Sequence, residues 1–146
     1  MNLALPEPFV LWVETTEADT DAFGHVNNLR YLAWMERCAW AHSEAVGVPL
    51  DLCVALRRGM AVQRTEIRYH RAADAGERLE VADWVVTAGR LRATRRFRIR
   101  RGETLLASAE VDYACIDLDS GRPVRMPPEF APYRVEPAVA AALAEG

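Results

Sequence analysis

One stretch of the sequence indicates how the rest of the chain is organised, namely Asp19-Thr20-Asp21-Ala22-Phe23-Gly24-His25-Val26-Asn27-Asn28-Leu29-Arg30-Tyr31. This stretch joins a loop to the start of a helix in which Glu36 follows. The loop therefore places carboxylates close to a helix N-terminus. A carboxylate can activate water, and the free N–H groups at a helix start can stabilise an oxyanion. The stretch indicates a hydrolytic active site.

A long helix is predicted directly after the loop, over residues 29–46. Its predicted stripe recurs at steps of three and four and consists of Leu29, Leu32, Ala33, Met35, Cys38, Ala39, His42 and Val46. Asn27 or Asn28 can supply the N-cap oxygen, and Pro49 blocks continuation of the helix. Trp34 and Trp40 fall off the main stripe, so the helix is apolar nearly all round. We therefore expect other structure to wrap around it.

Alternating apolar residues predict one strand before the helix and four after it. These strands are expected at residues 9–15, 60–70, 78–88, 91–101 and 105–118. The proline-rich segment 122–137 is expected to lie along the surface, and 138–144 to form a short helix. This element order predicts an α+β fold. We expect one domain over residues 1–146, with a core at 9–128 and a C-terminal tail at 129–146.

The composition narrows the class of protein. The chain has 146 residues, 51% of them hydrophobic, and a net charge of −3, which argues against a general nucleic-acid binder. Its three cysteines fit no metal or disulfide pattern, so we expect them to be reduced and buried. The N-terminus lacks the features of a signal peptide, and no apolar run approaches a membrane span. We expect a cytoplasmic protein that binds neither membrane nor nucleic acid.

With these residues in view, the chain resembles the hotdog-fold acyl-CoA thioesterases of the 4-hydroxybenzoyl-CoA thioesterase type. The motif that carries the resemblance runs from Asp21 to Tyr31 and is followed by Glu36. Weaker matches are Ile67-Arg68-Tyr69-His70-Arg71, Gly76-Glu77, Arg122-Pro123 and Met126-Pro127. The resemblance covers residues 9–128. It implies an antiparallel sheet wrapped around one central helix, and two protomers that join their sheets into a dimer, with a tetramer left open.

The resemblance also implies an activity, the hydrolysis of an acyl-CoA thioester, in which CoA is part of the substrate and no metal or other cofactor is needed. Asp21 would be the general base or the nucleophile, and the helix N-terminus near Val26 to Asn28 would hold the oxyanion. His25 would transfer a proton, place the substrate or fix the loop. Asn28 would cap the helix or orient Asp21 or the water. The residues expected to contact substrate are Gly24, Val26, Asn27, Tyr31, Arg68 and Arg71.

Several of these residues also have a purely structural interpretation. Asp21 can order the loop through an Asx turn, and Asp19 is better explained as a loop acid that bonds backbone. Tyr31 can equally be a core residue, and Glu36 can be a buried acid or a polar group facing the site. An arginine stripe on one strand can bind phosphate or form a solvated face paired with acids. It consists of Arg92, Arg96, Arg98 and Arg100.

Three other functions remain open at the level of sequence. The chain can act on acyl or polyketide chains bound to a carrier protein instead of CoA. It can be a catalytically silent binder of acyl thioesters, although the presence of Asp21 argues against this. It can be a hydratase on the same fold, which would need an acid and a histidine placed together, and Asp21 with His25 fits that requirement only weakly.

Overall fold

The structure, a computed structural model, describes residues 7–133, so the helix predicted at 138–144 lies outside the described residues. The elements in chain order are β1 (Phe9–Glu14), α1 (Asn28–Ala45), α2 (Leu50–Leu56), β2 (Arg58–Tyr69), β3 (Arg78–Ala88), β4 (Arg92–Arg101) and β5 (Thr104–Asp117). A short 3₁₀ turn (Glu17–Asp19) precedes α1, and a 3₁₀ helix (Pro128–Tyr133) follows β5. The five predicted strands and the long helix are all present, with boundaries within two residues of those expected.

The five strands form one antiparallel sheet in the order β1-β3-β4-β5-β2. One face of this sheet packs against α1, which contacts β1 and β3 most closely. The core between helix and sheet is built from apolar side chains of both, among them Met35, Cys38, Leu79, Val81, Phe97 and Ile99. The architecture is the α+β arrangement that the element order predicts. β1 and β2 are the two edges of the sheet.

The orientation of α1 differs from the predicted stripe. The buried side chains of α1 are Tyr31, Trp34, Met35, Cys38 and Ser43. Leu29 of the predicted stripe is 67% exposed, whereas Trp34, expected off the stripe, is only 3% exposed. The sheet covers one side of the helix, and a helix that is apolar nearly all round does not specify which side that is. The opposite side of α1, including Trp40, stays exposed in the single chain.

Helix α2 and the packing of the C-terminal segment were not predicted from the sequence. α1 ends at Ala45, before Pro49, and Pro49 is the N-cap of α2. Phe130 and Tyr133 are buried and their rings pack edge to face at 5.7 Å. The expectation that residues 122–137 lie along the surface is therefore wrong for Pro128–Tyr133. Two aromatic rings in a short proline-rich segment bury enough apolar area to hold it against the domain.

All three cysteines are free and buried, which confirms the prediction. Cys38 lies in the core between α1 and the sheet, while Cys53 and Cys115 belong to a second apolar cluster with Phe130 and Tyr133. Burial raises the pKa of the Cys38 thiol to about 12. The cysteines therefore act as small apolar core residues.

Candidate active site

The loop before α1 is a tight turn closed by backbone hydrogen bonds. The Asp21 N–H donates to the His25 carbonyl at 2.8 Å, and the Gly24 N–H donates to the Asp21 carbonyl at 3.0 Å. Gly24 has a φ of +80°, a conformation that side chains with a Cβ rarely adopt. One carboxylate oxygen of Asp21 accepts the Phe23 N–H at 2.9 Å, which forms an Asx turn. Within residues 7–133, its other oxygen has no hydrogen-bond partner.

Asp19 plays a different part from Asp21. Its side chain is buried, and one oxygen accepts the Thr16 N–H at 2.8 Å. The other oxygen accepts from Nε of Arg30 on α1, also at 2.8 Å. Asp19 therefore ties the loop to the helix. This geometry supports the structural interpretation of Asp19 and leaves Asp21 as the accessible acid of the loop.

Asn27, rather than Asn28, is the N-cap of α1. Its side-chain oxygen accepts the Leu29 N–H at 2.9 Å, and its carbonyl accepts the Arg30 N–H at 2.9 Å. These two bonds satisfy donors that a helix start ordinarily leaves free. Asn28 is the first residue of the helix and its side chain is exposed.

The N–H groups at the helix start are not equally available. The Val26 N–H donates to the Ala73 carbonyl at 2.9 Å, and the Asn27 N–H donates to the Asp19 carbonyl at 2.8 Å. The Asn28 N–H has no partner among the described residues. The expected oxyanion donors from Val26 to Asn28 thus reduce to the N–H of Asn28. The positive end of the helix macrodipole adds to its attraction for negative charge.

His25 does not form a pair with Asp21. Its Nδ1 lies 3.0 Å from Oδ1 of Asp74, and both side chains are more than half exposed. The structure therefore brings His25 to an acid on the β2–β3 connection that the sequence analysis did not single out. The two residues are 49 positions apart, so no local pattern signals the pair. The arrangement further weakens the hydratase alternative.

Tyr31 lies in the core and not at the surface of a pocket. Its hydroxyl oxygen accepts the Ala73 N–H at 3.0 Å, and burial raises the pKa of this hydroxyl. Its ring packs edge to face on Trp34 and Tyr69. The hydroxyl of Tyr69 in turn donates to the Asn28 carbonyl at 3.0 Å. Tyr31 and Tyr69 therefore fix the start of α1 against the β2–β3 connection.

The candidate phosphate-binding arginines are exposed. The Arg68 side chain is 75% exposed and lies 3.7 Å from Glu66, and Arg71 is exposed as well. The arginine stripe of β4 lies on the sheet face away from α1, where Arg96 contacts Glu110 at 3.7 Å. There the Arg98 guanidinium also lies over the Trp84 ring, at 5.3 Å. These contacts favour the paired-face interpretation of the stripe.

A cavity of about 280 Å³ lies between α1 and the sheet. Exposed residues of α1 and β2 line its mouth, namely Leu32, Glu36, Trp40, Val62 and Thr65. Leu32 is one helical turn beyond Asn28, which does not itself line the cavity. Glu36 is exposed, which excludes the buried-acid interpretation. Neither Asp21 nor His25 lines the cavity.

A buried polar cluster forms the inner end of this cavity. Nη1 of Arg95 lies 2.8 Å from both carboxylate oxygens of Asp83 and 2.9 Å from Nδ1 of His42. Nη2 of Arg95 donates to Oγ of Ser43 at 3.0 Å, and this oxygen lies 2.7 Å from the Tyr133 hydroxyl. A buried arginine paired with a buried aspartate is well satisfied, because each group neutralises the other.

This cluster was not predicted, although the sequence contains one signal for it. Arg95 alternates with Phe97 and Ile99 on the apolar face of β4, opposite to the arginine stripe. Asp83 alternates in the same way with Val81 and Val85 on β3. Charged residues in an apolar register on neighbouring strands indicate a buried ion pair, since an unpaired charge there would be too unfavourable.

The sheet, the central helix and the loop at the helix N-terminus define a hotdog-fold protein. The family model of the thioesterase-like superfamily matches residues 15–133. The chain belongs to this superfamily. Membership supports thioester hydrolysis as the general activity. No curated protein matches the chain.

Solved structures agree on the fold. A 1,4-dihydroxy-2-naphthoyl-CoA thioesterase from Synechocystis is 21% identical, with a TM-score of 0.78, covering 86% of this chain and 94% of that one. A probable thioesterase from Bartonella henselae is 25% identical, with a TM-score of 0.73, covering 84% and 100%. A Staphylococcus aureus protein crystallised with CoA is 14% identical, with a TM-score of 0.80, covering 99% and 87%.

Within residues 7–133, no helix is both long and apolar enough to cross a membrane.

Proposed function

We propose that the chain hydrolyses an acyl-CoA thioester to a carboxylic acid and CoA. The observation that carries the proposal is the unpartnered N–H of Asn28, one helical turn before Leu32, which lines the mouth of a mainly apolar cavity. Asp21, with one carboxylate oxygen free of hydrogen bonds, lies in the loop directly before Asn28. An oxyanion donor, an acid and an adjoining apolar cavity are the parts that thioester hydrolysis requires.

In the proposed mechanism, Asp21 removes a proton from the attacking water or attacks the thioester carbonyl itself. The Asn28 N–H donates to the carbonyl oxygen as it becomes negative, a contact typically worth about 3 to 4 kcal/mol in the transition state. The thiolate of CoA then leaves and takes up the proton removed from water. On the nucleophilic route, water afterwards hydrolyses the mixed anhydride on Asp21, which releases the carboxylic acid and restores the carboxylate. As proposed, no metal or redox cofactor takes part. His25, held by Asp74, keeps the loop in shape and does not relay the proton.

The CoA part of the substrate is proposed to contact Arg68 and Arg71. Both residues lie within two positions of Tyr69, whose hydroxyl is bonded to the Asn28 carbonyl, so they are near the helix start along the chain, although Arg68 projects from the opposite face of β2. Arginine binds phosphate through forked hydrogen bonds, and CoA carries three phosphate groups to receive them. The Staphylococcus aureus structure with CoA supports a ligand of this type on the fold.

We further propose that two copies of the chain pair through β2. This strand is a long free edge of the sheet, and Val62 and Tyr69 on it are exposed. An unprotected edge of this kind favours pairing with another strand. The cavity also opens between α1 and β2, so a second copy at this edge would help to enclose it.

The first test is thiol release from a panel of short, long and aromatic acyl-CoAs by the wild type and by Asp21→Asn. Asparagine keeps the oxygen that accepts the Phe23 N–H, so the loop should survive the change. We expect a loss of about 10²- to 10⁴-fold in kcat. The matched control is Asp119→Asn, which removes an exposed acid bound to Arg57 and should leave kcat unchanged.

Two results would contradict the proposal. An Asp21→Asn variant with wild-type kcat would remove Asp21 from the chemistry. A wild type that releases no thiol from any acyl-CoA would exclude these substrates, and the same assay on carrier-protein thioesters would then decide between another thioesterase and a silent binder.

A further inference from the structure

We propose that the inner end of the cavity binds an uncharged oxygen near the far end of an aliphatic acyl chain, so that the protein prefers oxygenated chains over plain ones. The preferred group is a carbonyl, or a hydroxyl, distant from the thioester. This inference rests on the proposed function, because it assigns the cavity to the acyl group of the substrate. It names Ser43, Tyr113 and Tyr133 as the residues that determine this specificity.

Hydrogen-bond donors exceed acceptors at the inner end of the cavity. Ser43 and Tyr133 have two hydroxyl protons between them, and the 2.7 Å contact of their oxygens uses only one. Oγ of Ser43 also accepts a hydrogen bond from Nη2 of Arg95, so its capacity to accept from a further donor is largely occupied. Whichever hydroxyl donates in the pair, one O–H proton is left without a described partner. An acceptor oxygen would complete the arrangement.

Tyr113 adds a second donor beside the first. It lines the same cavity, and its hydroxyl has no hydrogen-bond partner within the described residues. Burial raises the pKa of this hydroxyl to about 12, so it keeps its proton at neutral pH and donates. A ligand oxygen that accepts from this unpartnered donor gains a hydrogen bond that a plain chain cannot make.

The charges of the cluster favour an uncharged oxygen over a carboxylate. Arg95 is only 5% exposed, and Asp83, which is fully buried, already neutralises it. A carboxylate on the substrate would therefore enter a region whose lining cation among the described residues, Arg95, is already paired with Asp83. Burying such a charge is far more costly than burying a hydrogen-bonded carbonyl.

The length of the cavity favours a chain over a short or single-ring acyl group. Leu32 at the mouth and Ser43 at the inner end lie on the same face of α1. The eleven residue steps from Leu32 to Ser43 correspond to about 16 Å along the helix axis. The lining between them is mainly apolar and includes Met35, Phe97 and Val111, with Glu36 at the mouth. An aliphatic segment fits this stretch, and a chain that enters beside Leu32 must be of medium length to bring its far end to Ser43.

Binding of thioether analogues tests the inference without depending on hydrolysis. Calorimetry would compare a decyl thioether of CoA with counterparts that carry a carbonyl, a hydroxyl or a carboxylate at or next to the chain end. We expect the carbonyl analogue to bind the wild type at least about 10-fold more tightly than the plain one. Octyl and dodecyl series establish which length reaches the cluster.

Two variants and one control locate the effect. Tyr133→Phe and Tyr113→Phe each remove one donor and should each reduce the preference for the carbonyl analogue by about 3- to 10-fold, with affinity for the plain analogue unchanged. Thr94→Val is the control, because it removes a hydroxyl next to Arg95 on the opposite face, where it bonds Asp112. The thermal unfolding midpoint of each variant shows whether it folds.

The outcomes separate the inference from the proposed function. Equal binding of the plain and carbonyl analogues, or tightest binding of the carboxylate, would overturn the inference even if thiol release is fast. The absence of thiol release together with a carbonyl preference would overturn the proposed hydrolysis but retain the binding site. If one tyrosine variant fails to fold, the other variant and the wild-type ligand series still decide.

Discussion

Single residues in the loop before α1 have separate tasks although they are close in sequence. Both carboxylate oxygens of Asp19 accept hydrogen bonds, from Thr16 and Arg30, whereas only one oxygen of Asp21 accepts a hydrogen bond, from its own turn. From Val26 to Asn28, the first two N–H groups donate to the carbonyls of Ala73 and Asp19, and that of Asn28 has no partner among residues 7–133. The candidate chemistry therefore depends on which polar groups the fold leaves unbonded.

Cys38 gives a prediction for the pH dependence of stability. The ordinary pKa of this thiol is 9.0, and burial raises it to about 12 in the folded chain. The unfolded chain therefore loses the proton first, so the stabilising contribution is full below pH 9 and is lost as the pH rises towards 12. The free energy of unfolding should fall by up to about 1.4 kcal/mol per pH unit from this group.

The measurement is urea unfolding of the wild type and Cys38→Ala from about pH 8 to about pH 10.5. Cys38→Ala should be less stable at the lower pH but should lose stability more slowly as the pH rises. Cys53→Ala serves as the matched control, because burial raises the pKa of Cys53 to a smaller extent. Parallel curves for the wild type and Cys38→Ala would contradict the assignment.

At the scale of elements, the buried ion pair connects three parts of the fold. Asp83 belongs to β3, Arg95 to β4, and both contact His42 on α1. Arg95 also reaches Ser43 and, through it, the C-terminal 3₁₀ helix at Tyr133. This network holds the second half of α1 on the sheet at the point where the cavity ends.

Asp83→Asn should destabilise the chain by about 3 to 5 kcal/mol, because it leaves the charge of Arg95 buried without its partner. The control is Asp112→Asn on the outer face of the sheet, whose side chain is 37% exposed and faces Arg64. That change should cost less than about 1 kcal/mol. Urea unfolding measures both, and equal losses for the two variants would show that the buried network does not support α1.

At the scale of the whole molecule, a single copy leaves apolar surface and a sheet edge open to solvent. The mouth of the cavity, the exposed side of α1 and the free edge of β2 adjoin one another. Exposed Leu32 and Trp40 therefore lie beside the edge where a second sheet would continue. A two-fold pairing at this edge would bury apolar surface of both copies and remove two free edges.

Pairing through β2 predicts that sedimentation velocity finds the wild type as a dimer or a larger even assembly. The double variant Gln63→Asp/Thr65→Asp should be monomeric at the same concentration, because a two-fold axis brings like charges at mid-strand face to face. Thr87→Asp, which adds the same charge at the far end of β3, should keep the wild-type mass. A monomeric wild type would refute the pairing.

Much of the architecture follows from the sequence because it depends on local patterns. The period of two in β3 and β4 and the loop motif before α1 reflect interactions between residues near each other in the chain. These patterns predicted the five strands, the long helix and the superfamily. They did not predict α2, because seven residues after a proline carry too little periodicity to be distinguished from a turn.

The sequence by itself therefore determined the five strands, the long helix, their order and the family, and it singled out Asp21 as the candidate acid of the loop. Only the tertiary structure decided which side of α1 is buried, which N–H at its start stays free and which acid His25 contacts. It also brought Asp83, Arg95 and Tyr133 together at the end of one cavity. The physical reason is range, since hydrogen bonds and burial between residues tens of positions apart depend on the packing of α1 and the C-terminal segment onto the sheet, which no local pattern encodes.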